Sequence, residues 1–274
     1  MPEQKVDIQK KIEDIDTRLY KLLMQRAELV KENPYPVRIE NLLGQEAKGI
    51  RWMLKYHTGD FPEYVVAKIW REILSASANM KEKLKIAVYG DEKDGSILHQ
   101  VQEHFGSFVS TTILSSYSQV FNLVSTREAD IAIIPSDNNE MNDNPWWNAL
   151  SAYKNKESLN IVAKLPFIRS ANITQENEAY VLALLPSDAS GIDNSLFAVE
   201  TEINVSHSTI TETFNSLGFA EAKLVKSVNK EDTKYSLVEV KGFCTAEEIQ
   251  KLEIPEVFKN LHLAGTYAQP IILP

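Results

Sequence analysis

A chain of 274 residues, 43% hydrophobic and 24% charged, has ample material for a packed core and corresponds to roughly one to three domains. The single cysteine, Cys244, excludes a disulfide scaffold, and the net charge of −9 (29 basic against 38 acidic residues) makes a phosphate backbone a poor partner. No apolar run is long enough to span a bilayer, and the polar start MPEQKVDIQKK lacks the apolar centre of a secretory signal. The expectation is a cytoplasmic protein with no nucleic-acid or membrane partner.

Residues 6–32 predict one long amphipathic helix, with Ile8, Ile12, Ile15, Leu19, Leu22, Leu23, Leu29 and Val30 at helical spacing. Asn33, Pro34 and Pro36 end it. A second helix is expected over 41–57, with Leu43, Ala47, Ile50 and Leu54 on one face, broken by Gly59, Asp60 and Pro62. A third is expected over 62–81, carrying Val66, Ile69, Trp70, Ile73 and Leu74. One helix so much longer than the others cannot be covered within the chain, and a homodimer is the simplest way to bury the remainder. After Lys81–Lys85 the period changes. Strands are expected at 85–89, 109–114, 129–135, 161–165 and 179–185, with helices at 96–105 and 117–124. That alternation predicts an α/β layer with a largely parallel sheet. The last stretch reads strand 200–205, helix 208–217 ended by Gly218, strands 221–228 and 234–241, helix 245–252 and a strand near 262–267. This β-α-β-β-α-β order is that of a ferredoxin-like unit. The fold class is therefore α plus α/β multidomain, divided as 1–82, 84–198 and 199–274.

The informative side chains are polar ones on apolar stripes. Arg26 continues the stripe Ile12, Ile15, Leu19, Leu22/Leu23. Glu46 sits between Leu43 and Ile50. Ser77 and Lys81 continue Val66, Trp70, Ile73. A buried charge needs a partner. Two readings follow: a structural Arg26–Glu46 ion pair with Lys81 reaching solvent, or a ligand site where two cations, a carboxylate and a hydroxyl converge. Trp146 and Trp147 are expected to cap a small core rather than line a cleft. The five histidines show no metal spacing, and His99 and His104 are five apart on one helix, so neither metal nor cofactor is expected.

The first helix, IQKKIEDIDTRLYKLLMQRAELVKE, resembles the opening of the all-helical chorismate mutases, whose pattern Ile12, Ile15, Asp16, Leu19, Leu22, Leu23 and Arg26 match. GQEAKGIRWMLKYHTGDFP…IWREILSASANM is similar to the subgroup in which such a domain leads a longer chain. The resemblance implies a Claisen rearrangement of the dicarboxylate chorismate to prephenate. That reaction needs no cofactor. It is driven by holding the substrate in a compact chair and by charge stabilisation at the ether oxygen. It places a carboxylate on Arg26, the ring hydroxyl on Glu46 and the ether oxygen on Lys81, with Ser77 assisting. Where the family has further arginines this chain has Gln9, expected to reach across the dimer, and Gln45. Arg38 stands in the loop where the family has a lysine. These three complete the expected substrate contacts.

Lys85–Tyr89 with Gly90, Ala129–Asn138 (ADIAIIPSDN) and Ser158–Ile168 resemble the prephenate dehydratase part of the bifunctional P-proteins in shortened form. Measured against that family, the stretch for the second lobe is too short, which implies a single-lobe α/β domain, and Thr174-Gln175-Glu176 stands where the family's catalytic Thr-Arg-Phe is found, so no dehydratase activity is expected. Tyr235–Phe243 and Leu263–Tyr267 look like an ACT domain. Its amino-acid-binding signatures are replaced at Ser206–Ile210 and Lys226–Ser227, which implies dimerisation or packing rather than sensing. The opposing expectation, motivated by Gln9 and Gln45, is a non-catalytic binding or regulatory protein on the same fold.

Overall fold

The computed structural model describes residues 2–33, 39–80, 83–91, 95–106, 109–136, 145–150, 158–171, 177–184, 186 and 188–274, without the side chains of 2–6 and 39–42. Three helices lead the chain: α1 (Pro2–Glu32), α2 (Ile39–Lys55) and α3 (Glu63–Asn79). The α/β part runs β1 (Lys85–Tyr89), α4 (Gly95–Phe105), β2 (Ser110–Leu114), α5 (Tyr117–Ser125), β3 (Ile131–Pro135), α6 (Trp146–Ala149), β4 (Asn160–Leu165), β5 (Ile168–Ser170) and β6 (Ala179–Ala183). Then come β7 (Asp193–Glu202), α7 (His207–Ser216), β8 (Ala220–Lys230), β9 (Thr233–Lys241), α8 (Ala246–Ile249), β10 (Asn260–Ala268) and β11 (Ile271–Leu273).

Nine strands form one sheet in the order β2-β1-β3-β6-β4-β10-β7-β9-β8. The sheet is mixed, which corrects the expectation of a largely parallel one. The β-α-β alternation makes β1 parallel to β2 and β3. Among the described residues beyond β3 no long crossover helix of the kind parallel pairing requires is found, and β6 inserts antiparallel to both β3 and β4. The last four long strands take the order β10-β7-β9-β8, with all neighbours antiparallel. That is the ferredoxin-like arrangement expected from the element order. Its first strand starts earlier than expected, at Asp193. Gly218, at φ +88, does end α7. The capping box Thr245/Glu248 opens α8, which is a single turn.

The α/β and ferredoxin-like parts are fused through β10, which pairs parallel with β4 at Gly265 and Ile161. One sheet face carries Phe121, Trp146, Trp147, Tyr180 and Tyr267; both tryptophans are buried in that core, as expected. The other face carries Ile86, Val88, Ile133, Leu165 and Val181, and Leu43 of α2 packs into it. A separate cluster joins Ala47 and Ile50 of α2 and Ala67 of α3 to Phe167 and Leu273, beside the small parallel pair β5/β11.

α2 is anchored over the sheet by polar contacts too. The Arg51 guanidinium donates to Ser190 Oγ (2.9 Å) and to the carbonyls of Ile192 (2.9 Å) and Gln269 (2.7 Å). Gly44 lies so close to Asp188 that a Cβ there would fall 2.5 Å from its carbonyl oxygen. α1 is different. Its stripe of Ile8, Ile12, Ile15, Leu19, Leu22 and Leu29 is 46–68% exposed in the single chain. No helix among the described residues is long and apolar enough to cross a membrane.

Candidate functional site

The charged side chains singled out on the helices meet where α1, α2 and α3 come together. Arg26, half-buried on α1, donates through Nη1 to Ser77 Oγ on α3. The Ser77 hydroxyl in turn donates to the carbonyl of Ile73 (2.6 Å), one turn back on its own helix. Arg26 is also near enough to Glu46 to lower that carboxyl's pKa electrostatically. Three of the expected residues therefore converge.

The ion pair considered between Arg26 and Glu46 is not the one formed. Glu46, 5% exposed, accepts from Nη1 of Arg71, 4% exposed, on α3. Arg71 reaches Glu46 through Oε2; among the described residues Oε1 accepts no hydrogen bond. The other guanidinium arm lies on the imidazole of His104, a buried residue of α4. Phe167, in the turn from β4 to β5, lies with its ring centroid 5.5 Å from the guanidinium carbon. Ser75 Oγ donates to the His104 carbonyl (3.0 Å).

The electrostatics follow from burial. Desolvation raises the Glu46 carboxyl above its ordinary value, against the pull of Arg71 and Arg26. Desolvation lowers Arg71, against the support of Glu46. His104 is pushed well below the usual imidazole range, first by burial and then by the adjacent Arg71 cation, so it stays neutral. The site thus holds one buried carboxylate–guanidinium pair, a neutral imidazole behind it, and a second, half-buried guanidinium, Arg26, on α1.

Two other expected contacts stand apart. Gln45 is exposed, and Gln9 is exposed on α1, with its amide 3.5 Å from Glu13 of the same helix. Lys81, Arg38, Asp137-Asn138 and Thr174-Gln175-Glu176 lie outside the described residues. Among the described residues, no group of three or more His, Cys, Asp or Glu side chains is placed to hold a metal ion.

Sequence reading missed Arg71 and His104. The signal for Arg71 was its spacing. Ala67, Arg71 and Ser75 fall four apart and form the buried face of α3, whereas Ile69, on the expected apolar face, is 46% exposed.

The chain is homologous to the bifunctional chorismate mutase/prephenate dehydratases. It is 30% identical over 145 residues to the one from Aquifex aeolicus, covering 50% of this chain and 40% of that protein. It is 26% identical over 139 residues to the one from Pseudomonas aeruginosa, covering 47% and 37%. The chain therefore spans about two fifths of the length of the curated relatives it matches. No family profile matches it. Among solved structures it is similar to a prephenate dehydratase from Arthrobacter aurescens in complex with L-Phe (11% identity, TM-score 0.46, 70% of this chain and 93% of that one). It is also similar to a quorum quenching acylase (16% identity, TM-score 0.45, 67% and 94%).

Proposed function

We propose that this protein is a chorismate mutase that works as a homodimer through its N-terminal helices. The observation that carries the reading is the convergence of Arg26, Ser77 and Glu46 at the junction of three helices, each residue at the position the mutase pattern assigns it. The rearrangement is intramolecular: the ether C–O bond breaks as a C–C bond forms, and no proton, nucleophile or metal is required. What the site must supply is a fixed substrate conformation and cationic stabilisation of the ether oxygen. Arg26, held by Ser77, binds one carboxylate with its remaining donors. Glu46 Oε1 accepts from the ring hydroxyl. Lys81, four residues beyond Ser77 in sequence, serves the ether oxygen, and Arg38 contributes to binding. The exposed α1 stripe packs on the same stripe of a second copy, which brings Gln9 to the substrate of the paired site, while Gln45 serves the site of its own Glu46.

The α/β part is read as a shortened dehydratase-like domain without dehydratase activity, and the ferredoxin-like part as an ACT-like packing module. The test is loss of chorismate absorbance in the presence of the full chain. Turnover is expected, and Arg26→Ala should lower it by about 10²–10³. No catalysed loss at high protein concentration overturns the mutase reading. A non-catalytic binding protein is the second reading. It is favoured by the neutral Gln9 and Gln45 and by the prior engagement of Glu46 with Arg71, and robust turnover removes it.

A further inference from the structure

We propose that the α/β part is a working component of the mutase site, because Arg71 is a positioning residue for Glu46 and is itself held by His104 and Phe167 of the α/β part. The inference rests on the mutase reading for its catalytic consequence, but the tether it describes stands on geometry alone. Arg71 belongs to α3, yet its surroundings are drawn from both sides of a joint. On one side Nη1 holds Glu46 Oε2, which fixes the carboxylate's orientation and leaves Oε1 for a ligand hydroxyl. On the other, Nη2 rests on the His104 ring and the guanidinium lies near the face of Phe167.

All three charged or polar groups are at most 6% exposed, so water cannot replace a lost partner. Glu46 and Arg71 also sit on helices whose packing is shared with the sheet: Leu43, Ala47, Ile50 and Ala67 all bury against residues of the α/β part or of β11. Arg51 pins α2 to the segment before β7 and to the end of β10. The helical part therefore does not carry a self-sufficient carboxylate. The site needs the α/β layer as the wall that aims Glu46.

The groups facing this carboxylate are Arg71 from α3, Arg26 from α1 and, through Arg71, His104 from α4 and Glu72. The experiment uses the full chain and the variants Arg71→Met, Arg71→Lys, His104→Asn and Phe167→Leu. Two quantities are measured. One is the carboxyl-carbon NMR titration of Glu46, assigned with Glu46→Gln. The other is the pH profile of chorismate turnover. Arg71→Met should move the Glu46 midpoint to higher pH, and Arg71→Lys should restore part of it.

His104→Asn and Phe167→Leu touch neither Glu46 nor substrate. They should still move the midpoint upward, shift the acid limb of kcat/KM with it, and lower kcat by about tenfold to a hundredfold with less change in KM. If both fold and keep the native midpoint and kcat, the proposal is overturned while the mutase reading survives. If the native chain does not turn over chorismate but the midpoint moves in these two variants, the mutase reading falls and the tether stands. Should Arg71→Met fail to fold, Arg71→Lys and Phe167→Leu decide the outcome.

Discussion

Gly265 is where the two halves of the sheet touch, and replacing it with alanine should separate them. It holds the β10–β4 register pair with Ile161 and lies at the irregularity in β10's pairing with β7 between Leu263 and Gly265. A Cβ at this position would lie 2.2 Å from the Ile161 carbonyl oxygen, 2.4 Å from its nitrogen and 2.7 Å from its Cα. All three are backbone atoms of a central strand, so no side chain can swing aside, and β4 and β10 must part by about an ångström or more. Overpacking of a core costs about 1–3 kcal/mol. The backbone, at φ +153, adds strain of about 1–3 kcal/mol for a residue with a side chain. The expected loss is about 3–5 kcal/mol, a large share of the roughly 5–15 kcal/mol that stabilises a folded chain. Urea unfolding at fixed pH measures it, with the buried Trp146 and Trp147 as the fluorescence probe and far-UV circular dichroism as the second signal. The matched control is Gly49→Ala in α2, where nothing lies within 4 Å of the new methyl. It should stabilise by about 0.5–1 kcal/mol through lost backbone entropy. A Gly265→Ala protein within about 1 kcal/mol of native, with the same slope in urea, would refute the reasoning.

Arg71→Met leaves the Glu46 carboxylate buried without its cation and should cost about 3–5 kcal/mol, while the double variant Arg71→Met/Glu46→Gln should recover much of that loss in the same unfolding assay. His104 makes stability pH-dependent with a definite sign. Its folded pKa lies well below 6.5, so the unfolded chain binds the proton first; its contribution is complete above pH 6.5 and declines as pH falls below that value towards the folded pKa. Unfolding midpoints of His104→Asn, measured across this interval, should decline less than those of the native chain. On α1, Ile15 and Leu19 are 53% and 60% exposed, and burial of each such side chain is worth about 1.5–3 kcal/mol. Ile15→Glu/Leu19→Glu should therefore convert a dimer to a monomer in light scattering; an unchanged mass removes α1 as the interface.

Most of the elements were legible because their periods were clean. Val, Ile and Ala runs such as Ile131–Pro135 and Ala179–Ala183 are buried along their length, apart from Pro135, and read as central strands whatever their direction. Direction was not legible. Whether β6 runs with or against β3 depends on how the chain returns through α6, β4 and β5, and the period of a strand carries nothing about that path. The pair β5/β11 was missed for a related reason. Three-residue strands are too short for a period to register, and Ile168–Ser170 finds its partner about 100 residues later in the chain. Gly265 gave no warning either, because a close approach between backbones leaves no mark on hydropathy.

The site shows where reading by stripe succeeds and where it fails. Arg26, Glu46 and Ser77 were found because each interrupts a row of large apolar residues, and all three do converge. Arg71 was overlooked because the face it occupies is built from small residues. Ala67 and Ser75 on either side let α4 approach closely enough for His104 to reach the guanidinium, whereas the large side chains Val65 and Ile69 remain exposed. Hydrophobicity marks the face of a helix that seeks cover. Small residues around a buried charge mark the face already covered by a neighbour. In α3 these are different faces. Of the apolar face only Ile69 is exposed, while Val66, Trp70, Ile73 and Leu74 are half-buried; the small-residue face joins the helices to the sheet, so the surroundings of Glu46's partner were fixed by the α/β part rather than by the helical pattern that revealed Glu46 itself.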